Sequence, residues 1–396
     1  MPEVPSGATP HAPDAGASHP RHRRRPSVVV VGAGIVGAAV AYEAARAGAA
    51  VVLLDRAVPG AGATGSSFAW IGGPRAADTA DASTPLRRRA LAAYRRIERD
   101  VPGVQVHWRG SLLWTEQELE DRRPLGADEH LLEAASIALL EPHLRPPPVR
   151  AVRLESDGAV DPVAVTGALV RAAQAHGARL VTSTAVTALR VQDGVVVGVD
   201  TTSGHLVSET VVVSAGAQAS SLCAPLGVVL PVTRSPALLL RIAAPAGLVR
   251  TLLTGPGLEQ VREAAEGELW VAAAHDGDTA QDLERTASEV LEHLRSAFDG
   301  AGSVRLLDVR VGERPMPADG LPIVGPVPGA PGGYVAVMHS GVTLAPAVAQ
   351  LVADEVVHGT RAEELAGLRP LRFVPQTAED GRSTTRPEAT SGSGQR

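Results

Sequence analysis

The sequence contains no lysine, no asparagine and one cysteine, and aromatic residues make up 3% of its 396 positions. All 37 basic residues are therefore arginine. Without lysine there is no Schiff-base chemistry and no phosphate-cradling P-loop lysine. Without asparagine there is no acceptor for an N-linked glycan. The single Cys223 excludes an internal disulfide framework and a cysteine-built metal cluster, and no metal site is expected. It also fits a reducing compartment. The 43 acidic residues outnumber the basic ones and leave a net charge of −6. That is the wrong balance for a nucleic-acid partner, which demands a basic excess. No uninterrupted apolar run reaches about 18 residues, so no membrane span is expected. What remains is ordinary: 44% hydrophobic and 20% charged residues, in a chain long enough for two domains.

Residues 1–26 are rich in Pro, His, Ala and Gly and end in Arg21-His22-Arg23-Arg24-Arg25-Pro26. They read as a disordered tail, as do residues 376–396. The arginines precede the apolar stretch Val28 to Val40, which imitates an export signal. Glu43 and Arg46 soon interrupt that stretch, and its glycines have a better use, so a cytoplasmic location is expected.

Val28 to Val31 is a β-branched run suited to a buried parallel strand. Gly32-Ala33-Gly34-Ile35-Val36-Gly37 follows at once, then an alanine-rich helical segment that Gly48 stops. Ala50 to Leu54 is a second apolar strand with Asp55 at its end. Strand, glycine turn, helix, strand and acid form the unit that binds dinucleotides. Gly32 permits the tight turn, Gly34 lets backbone approach a pyrophosphate, and Gly37 lets helix and strand pack closely. The helix start supplies N–H groups and partial positive charge for phosphate. Asp55 would accept from ribose hydroxyls, and Arg56 beside it joins the cofactor set. An acid there favours an unphosphorylated adenosine ribose, hence FAD or NAD.

Two later segments favour FAD. The small-residue loop Gly60 to Ser67 follows the acid closely enough to lie against a cofactor. Near the other end of the chain, Gly333 to Met338 reads as a strand, His339 to Gly341 as a turn, and the residues to about Val357 as a helix. A second helix start at a strand end is superfluous for NAD. Beside the pyrimidine side of a flavin it would stabilise the anionic reduced ring.

With these motifs the chain resembles the FAD-dependent oxidoreductases of the D-amino-acid oxidase, glycine oxidase and sarcosine oxidase superfamily, over roughly residues 27–375. The resemblance rests on the glycine turn with Asp55 and on Ala63-Thr64-Gly65-Ser66-Ser67. Gly158 to Pro162, Thr184-Ala185-Val186 and Val211 to Ala217 add to it, as do Arg314-Pro315 and His339 to Pro346. It implies an α/β fold in which a Rossmann-like FAD-binding domain (27–75, 147–225 and 318–375) is interleaved with an antiparallel-sheet substrate domain (76–146 and 226–317). It implies that Gly32, Gly34 and Gly37 hold the pyrophosphate and Asp55 the ribose. Thr64, Gly65, Ser66 and Ser67 would line the phosphate–flavin side, and Val186 would meet adenine. Ala215 and Gly216 would pass close to the cofactor, and Gly341, Val342, Thr343 and Leu344 would face the flavin ring.

Local patterns fit that division. Asp161 to His176 has helical spacing, and Arg179 to Val213 reads as three strands joined at Asp193-Gly194 and Ser203-Gly204. Ala280 to Phe298 reads as a helix with one polar face and Val304 to Val311 as a strand. Arg87-Arg88-Arg89 and Arg95-Arg96 lie on a predicted helix and read as its solvated face.

For chemistry, the resemblance points to Arg314 as the anchor of a substrate carboxylate; its alternative is an ion pair with Glu313 or another acid. Glu313 suits an anionic substrate only if the strand turns it to the opposite face. His339 precedes the flavin-facing turn and would contact flavin or substrate, or merely pack. Arg75 would add positive charge nearby. Relatives of the sarcosine oxidase type use a lysine near the flavin to promote reaction with oxygen, and this chain has none. Cys223 is poorly placed for covalent attachment and the 60–75 loop has no histidine, so the FAD is expected to be non-covalent. The leading reading is oxidation of the C–N bond of a small-molecule amine or amino acid to an imine. Two others stay open: a tailoring flavoenzyme acting on a larger biosynthetic intermediate, and a non-catalytic FAD-binding subunit of a hetero-oligomeric dehydrogenase. Homo- or hetero-oligomers are left open as well.

Overall fold

Four consecutive valines are buried on both faces only if their strand lies inside a sheet covered on each side. In a computed structural model describing residues 25–75, 81–116, 119, 125–275 and 279–374, this is where they lie. Apart from Arg25 and Pro26, the two expected tails fall outside the described residues. Strand β1 (Ser27–Val31) sits within a six-stranded sheet, ordered 323–326, 333–337, 210–213, 27–31, 50–54 and 179–181. Its pairings are parallel except that Ile323–Pro326 runs antiparallel to Gly333–Val337.

The period of two decides what each valine meets. Val28 and Val30 join Leu53 and Val212 beneath helix α1 (Ile35–Arg46), the helix Pro162–Ala175 and the helix Gly341–His358. Val29 and Val31 point the other way. They join Leu54, Val211 and Val213 against Leu189, Val196 and Val199 of a small antiparallel sheet. Each buried valine contributes about 1.5–3 kcal/mol. Because the parallel strands are in register, their carboxyl ends line up: Val31 lies opposite Val213 and Leu54, and Val213 opposite Val335. The chain therefore leaves the sheet at one edge five times, through Gly32, Asp55, Thr182, Ser214 and Met338.

The segment from Arg179 to Val213 forms five strands, not the expected three: 179–181, 186–192, 195–201, 204–207 and 210–213. The first and last belong to the parallel sheet and the middle three to the antiparallel one. Hydrophobic alternation does not mark such a change of sheet. The turn at Asp193-Gly194 is as expected, with both residues at positive φ (50° and 78°).

A second, eight-stranded sheet is ordered 305–317, 232–243, 268–274, 258–265, 252–255, 111–113, 150–154 and 129–133. One face carries Leu238, Leu240, Ile242, Val261, Leu269 and Val271, packed under the helix Ala280–Ala297 through Ala287 and Leu294. The other carries Leu239, Leu252 and Trp270, against Phe68 and Ala159. The strand expected at 304–311 continues to Pro317, held along its length by Val232–Ala243. Helix α2 (Thr84–Asp100) buries Leu86, Ala90, Tyr94 and Ile97, and the Tyr94 hydroxyl donates to the Val342 carbonyl at 2.6 Å. Among the described residues no helix is long and apolar enough to cross a membrane.

Candidate active site

The glycine turn after β1 leaves no room for side chains. Gly32 has φ +101°, and a Cβ there would lie 2.5 Å from the Ser214 carbonyl oxygen. A Cβ on Gly37 would lie 1.8 Å from the Gly32 oxygen. Gly34 caps α1 without a side-chain bond, so the first turn of the helix faces outward with backbone N–H groups. The Thr64 hydroxyl closes one side, accepting from the Ile35 N–H at 3.1 Å. Asp55 closes the other. Its carboxylate accepts from the Ala33 N–H at 2.6 Å and the Ala57 N–H at 2.8 Å, so the acid at the end of the second strand fixes the turn after the first. The Asp55 carbonyl accepts from Thr184 N–H at 2.9 Å, which brings the segment leading to Val186 alongside. The Arg56 side chain is exposed.

The second helix start meets the first. A Cβ on Gly341 would lie 3.3 Å from Val36 Cγ2, so the two remote glycine turns are adjacent. Ser340 caps the helix Gly341–His358 without a side-chain bond. Val342, Thr343 and Leu344 are buried, and the Thr343 hydroxyl donates to the Trp70 carbonyl at 2.9 Å. Ala215 and Gly216 leave the strand Thr210–Val213 beside Gly32. Gly32 to Gly37, Asp55, Thr64 to Ser67, Ala215, Gly216 and Gly341 to Leu344 thus gather at the carboxyl edge of the parallel sheet, where open α/β sheets bind their ligands.

The eight-stranded sheet closes over this edge. A Cβ on Gly312 would lie 2.8 Å from Ser66 Cβ, and Arg310 donates to the Gly65 carbonyl at 3.0 Å. Alternation along Arg305–Pro317 puts Arg310, Gly312 and Arg314 on one face and Glu313 on the other. Arg314 donates to the Ser235 hydroxyl at 2.8 Å and carbonyl at 3.4 Å. Among the described residues it makes no ion pair, whereas Glu313 pairs with Arg234 at 3.3 Å. The strand therefore turns the awkward acid away. The pKa of His339 is held below its ordinary value by desolvation in the cleft, then by the Arg314 and Arg87 guanidiniums.

A cavity of about 290 Å³ adjoins this point. Ser340 and Thr343 form one wall, Trp70, Gly72, Gly73 and Arg75 another, and Arg87 and Gln260 complete it. The reading of Arg87 as solvated is thereby corrected, as is that of Arg96, whose guanidinium pairs with the buried carboxylate of Glu43. Arg88 is exposed and Arg89 pairs with Glu364, but Arg87 faces the cavity. A signal was present: Arg87, Leu91 and Tyr94 share one helical stripe, and Leu91 packs against Gly73. Gln260 and Trp70 carried no such mark.

Arg262 was also missed. It is 3% exposed, lies between the rings of Phe68 and Trp270, and donates to the carbonyls of Phe68 (2.9 Å) and Val160 (2.8 Å). It ties the eight-stranded sheet to the loop carrying Thr64 to Trp70. Arg262→Ala strands two carbonyls and empties a buried site, so it is expected to cost about 2–5 kcal/mol. Thermal melting checks this; an unchanged Tm would deny the tie.

Residues 27–355 match the model of the FAD dependent oxidoreductase (DAO) family. The chain belongs to this family. It is 28% identical over 370 residues to a glycine oxidase of Geobacillus kaustophilus, covering 88% of this chain and 98% of that one. It is 26% identical over 383 residues to one of the subunits of the opine oxidase of Rhizobium meliloti, covering 89% and 99%. The fold superposes on an L-amino acid deaminase of Proteus myxofaciens with a TM-score of 0.79 at 18% identity, over 89% of this chain and 94% of the other. As a member of the DAO family the chain is an FAD-dependent oxidoreductase, and its residues fit the cofactor. The crowded glycine turn forms a cradle that side chains would fill, and two uncapped helix starts face one cleft. The Asp55 carboxylate is fixed at the edge of that cradle. Cys223 is fully buried and desolvation pushes its thiol pKa up to about 11, so it offers no thiolate for attachment.

Proposed function

We propose that the protein oxidises the C–N bond of an amino acid or related amine to an imine. The observation that carries this reading is Arg314. It is a guanidinium without a carboxylate partner among the described residues, on the same sheet face as Gly312 and beside His339. Such a fork recognises a substrate carboxylate through two parallel hydrogen bonds. The similarity to a glycine oxidase supports the same class of substrate.

In this reading Gly32, Gly34 and Gly37 hold the FAD pyrophosphate and Asp55 the ribose. Thr64 to Ser67, Ala215 and Gly216 line the path to the ring, Val186 borders the adenine and Arg56 flanks the ribose from the exposed side. Bound FAD supplies the acceptor for a hydride from the substrate α-carbon. The chain's own residues do the rest. Arg314, steadied by Ser235, fixes the carboxylate and so the orientation of the α-carbon. The N–H groups at the start of Gly341–His358 place positive charge where negative charge builds up. Desolvation and then the Arg314 and Arg87 guanidiniums disfavour a protonated His339, which makes it a poor second cation for the carboxylate. Phe68 and Trp70 exclude water from one side. Residues 27–75, 158–225 and 318–375 would serve the cofactor, and the eight-stranded sheet, which takes in 150–154 as well as strands from 111–133 and 232–317, would serve the substrate; the boundary expected at 147 therefore moves beyond 154.

The test is anaerobic mixing of the yellow protein with glycine, N-methylglycine, proline and both enantiomers of alanine. Bleaching of the flavin by at least one is expected; a flavin that dithionite reduces and none of these or other amines reduces would overturn the reading. The similarity to an opine oxidase component favours a second reading, in which the chain works as one part of a hetero-oligomer. Co-purification of a different chain with the protein from its source would support it.

A further inference from the structure

The helix Gly341–His358 carries Pro346 in its second turn. A proline there has no N–H to donate, and its ring crowds the carbonyl four residues earlier. That carbonyl belongs to Val342, so the helix cannot supply its usual partner. Val342 is buried, and a buried acceptor left empty is costly. Another element fills the gap. Tyr94 of α2 is 0% exposed, and its hydroxyl donates to the Val342 carbonyl at 2.6 Å. Burial pushes the Tyr94 pKa up, so the hydroxyl keeps its proton and stays a donor. The ring is held in one apolar cluster with Leu86, Ala90 and Ile97 of α2 and with Leu344, Ala345 and Val348 of the other helix. A side chain of α2 thus stands where a backbone N–H would be.

The gap lies at the helix start that faces the cofactor cleft. There the Gly341 N–H donates to the His339 carbonyl at 2.8 Å and the Leu344 N–H to the Ser340 carbonyl at 3.0 Å. Among the described residues, that leaves the N–H groups of Val342 and Thr343 for a ligand. The Val342 carbonyl and the Thr343 N–H belong to one planar peptide unit. A hydrogen bond into the carbonyl polarises that unit and strengthens its N–H as a donor. The Thr343 hydroxyl, bonded to the Trp70 carbonyl at 2.9 Å, anchors the same residue.

We propose that Tyr94 is a positioning residue for the flavin: its hydroxyl replaces the bond that Pro346 removes, and so sets how strongly the Val342–Thr343 peptide favours the reduced ring. This rests on the reading that the helix start lies at the ring, and deepens it by naming what holds and polarises that start. Without the hydroxyl, the partial negative charge of the Val342 carbonyl is left uncompensated close to where the reduced ring gathers negative charge, and the Thr343 N–H is a weaker donor. Both effects act in one direction, against reduction.

Midpoint potentials of the holoenzyme test this without turnover. In Tyr94→Phe the ring stays and only the hydroxyl goes. The reduced flavin is expected to lose stability relative to the oxidised form by roughly 3–10-fold, which lowers the two-electron potential by about 14–30 mV. Pro346→Ala restores an N–H at position 346, and with it the helix's own donor for the Val342 carbonyl. Combined with Tyr94→Phe, it is expected to bring the equilibrium to within about 2-fold of that in Pro346→Ala alone; lost packing would not be rescued in this way. If Tyr94→Phe retains no flavin, the double substitution is expected to recover it. A potential unmoved in Tyr94→Phe, or a loss that Pro346→Ala does not rescue, overturns the proposal. Ser340→Asp separates that failure from failure of the reading beneath it. Aspartate is a favourable N-cap, so the helix persists, and its charge at the helix start should destabilise the reduced ring by roughly 10-fold or more. A potential lowered by Ser340→Asp and unmoved by Tyr94→Phe overturns the proposal alone. A potential that neither variant moves places the flavin elsewhere and overturns both.

Discussion

Gly37→Ala is expected to yield folded protein that retains almost no flavin. The new Cβ would lie 1.8 Å from the Gly32 oxygen and 3.4 Å from Ser214 Cβ. The first overlap is with backbone, so no rotamer relieves it. Either α1 swings away from β1 or the Gly32–Gly34 turn moves, and both shift the N–H groups meant for the pyrophosphate. Overpacking of this kind costs about 1–3 kcal/mol, a modest share of the roughly 5–15 kcal/mol that holds a typical domain together. Folding therefore survives where binding does not. Gly48→Ala is the control. Gly48 also has a left-handed backbone (φ +97°) that a side chain strains, but the space around it is open and it lies at the far end of α1. That variant is expected to lose about 1–2 kcal/mol of stability and keep its flavin. The flavin-to-protein absorbance ratio, read beside far-UV circular dichroism, distinguishes the two. Normal flavin content in Gly37→Ala would mean that the turn is not the cofactor cradle.

The convergence proposed to hold the cofactor was legible in the sequence because its requirements are local. Gly32, Gly34, Gly37 and Asp55 follow one another across a strand, a turn, a helix and a strand, and each residue type has one physical use there. The same held for Gly341 to Leu344, where a strand end runs straight into a helix start. The substrate half was legible only where one strand carries the information. Arg314 could be singled out as a candidate, and alternation turns Glu313 to the opposite face. Arg87, Gln260, Trp70 and Arg262 were not found, because what unites them is the approach of four separate elements. Arg87 shows the difficulty well. Three consecutive arginines on a helix read as solvent-facing, yet a helix advances 100° per residue, so neighbours point to different surroundings. One of the three faces the cavity, the next faces solvent, and the third reaches Glu364. The split of Arg179 to Val213 between two sheets escaped for a similar reason, since membership of a sheet is decided by distant strands.

Arg314→Ala is expected to lower kcat/KM for carboxylate-bearing amines by roughly 10²–10⁴-fold, the worth of two hydrogen bonds to a charged group at about 1.5–3 kcal/mol each. Carboxylate-free amines such as benzylamine, poor substrates at the outset, should change by much less. Arg314→Lys restores the charge but not the planar fork, so it should recover only part of the loss. A second readout reports the position of the guanidinium independently of substrate. The pKa of His339 is depressed first by desolvation and then by Arg314 and Arg87. Removing the Arg314 charge lets the imidazole keep its proton to higher pH. The histidine titration in Arg314→Ala should move upward, toward the ordinary value but not to it, because desolvation and Arg87 remain. If ionisation of His339 governs activity, the acid limb of the pH profile for kcat/KM moves in the same direction; NMR of the imidazole follows the titration whether or not it does. An equal loss for amines with and without a carboxylate would mean that Arg314 supports the fold instead of holding the substrate. A His339 titration unmoved by the substitution would mean that the two side chains do not share the site.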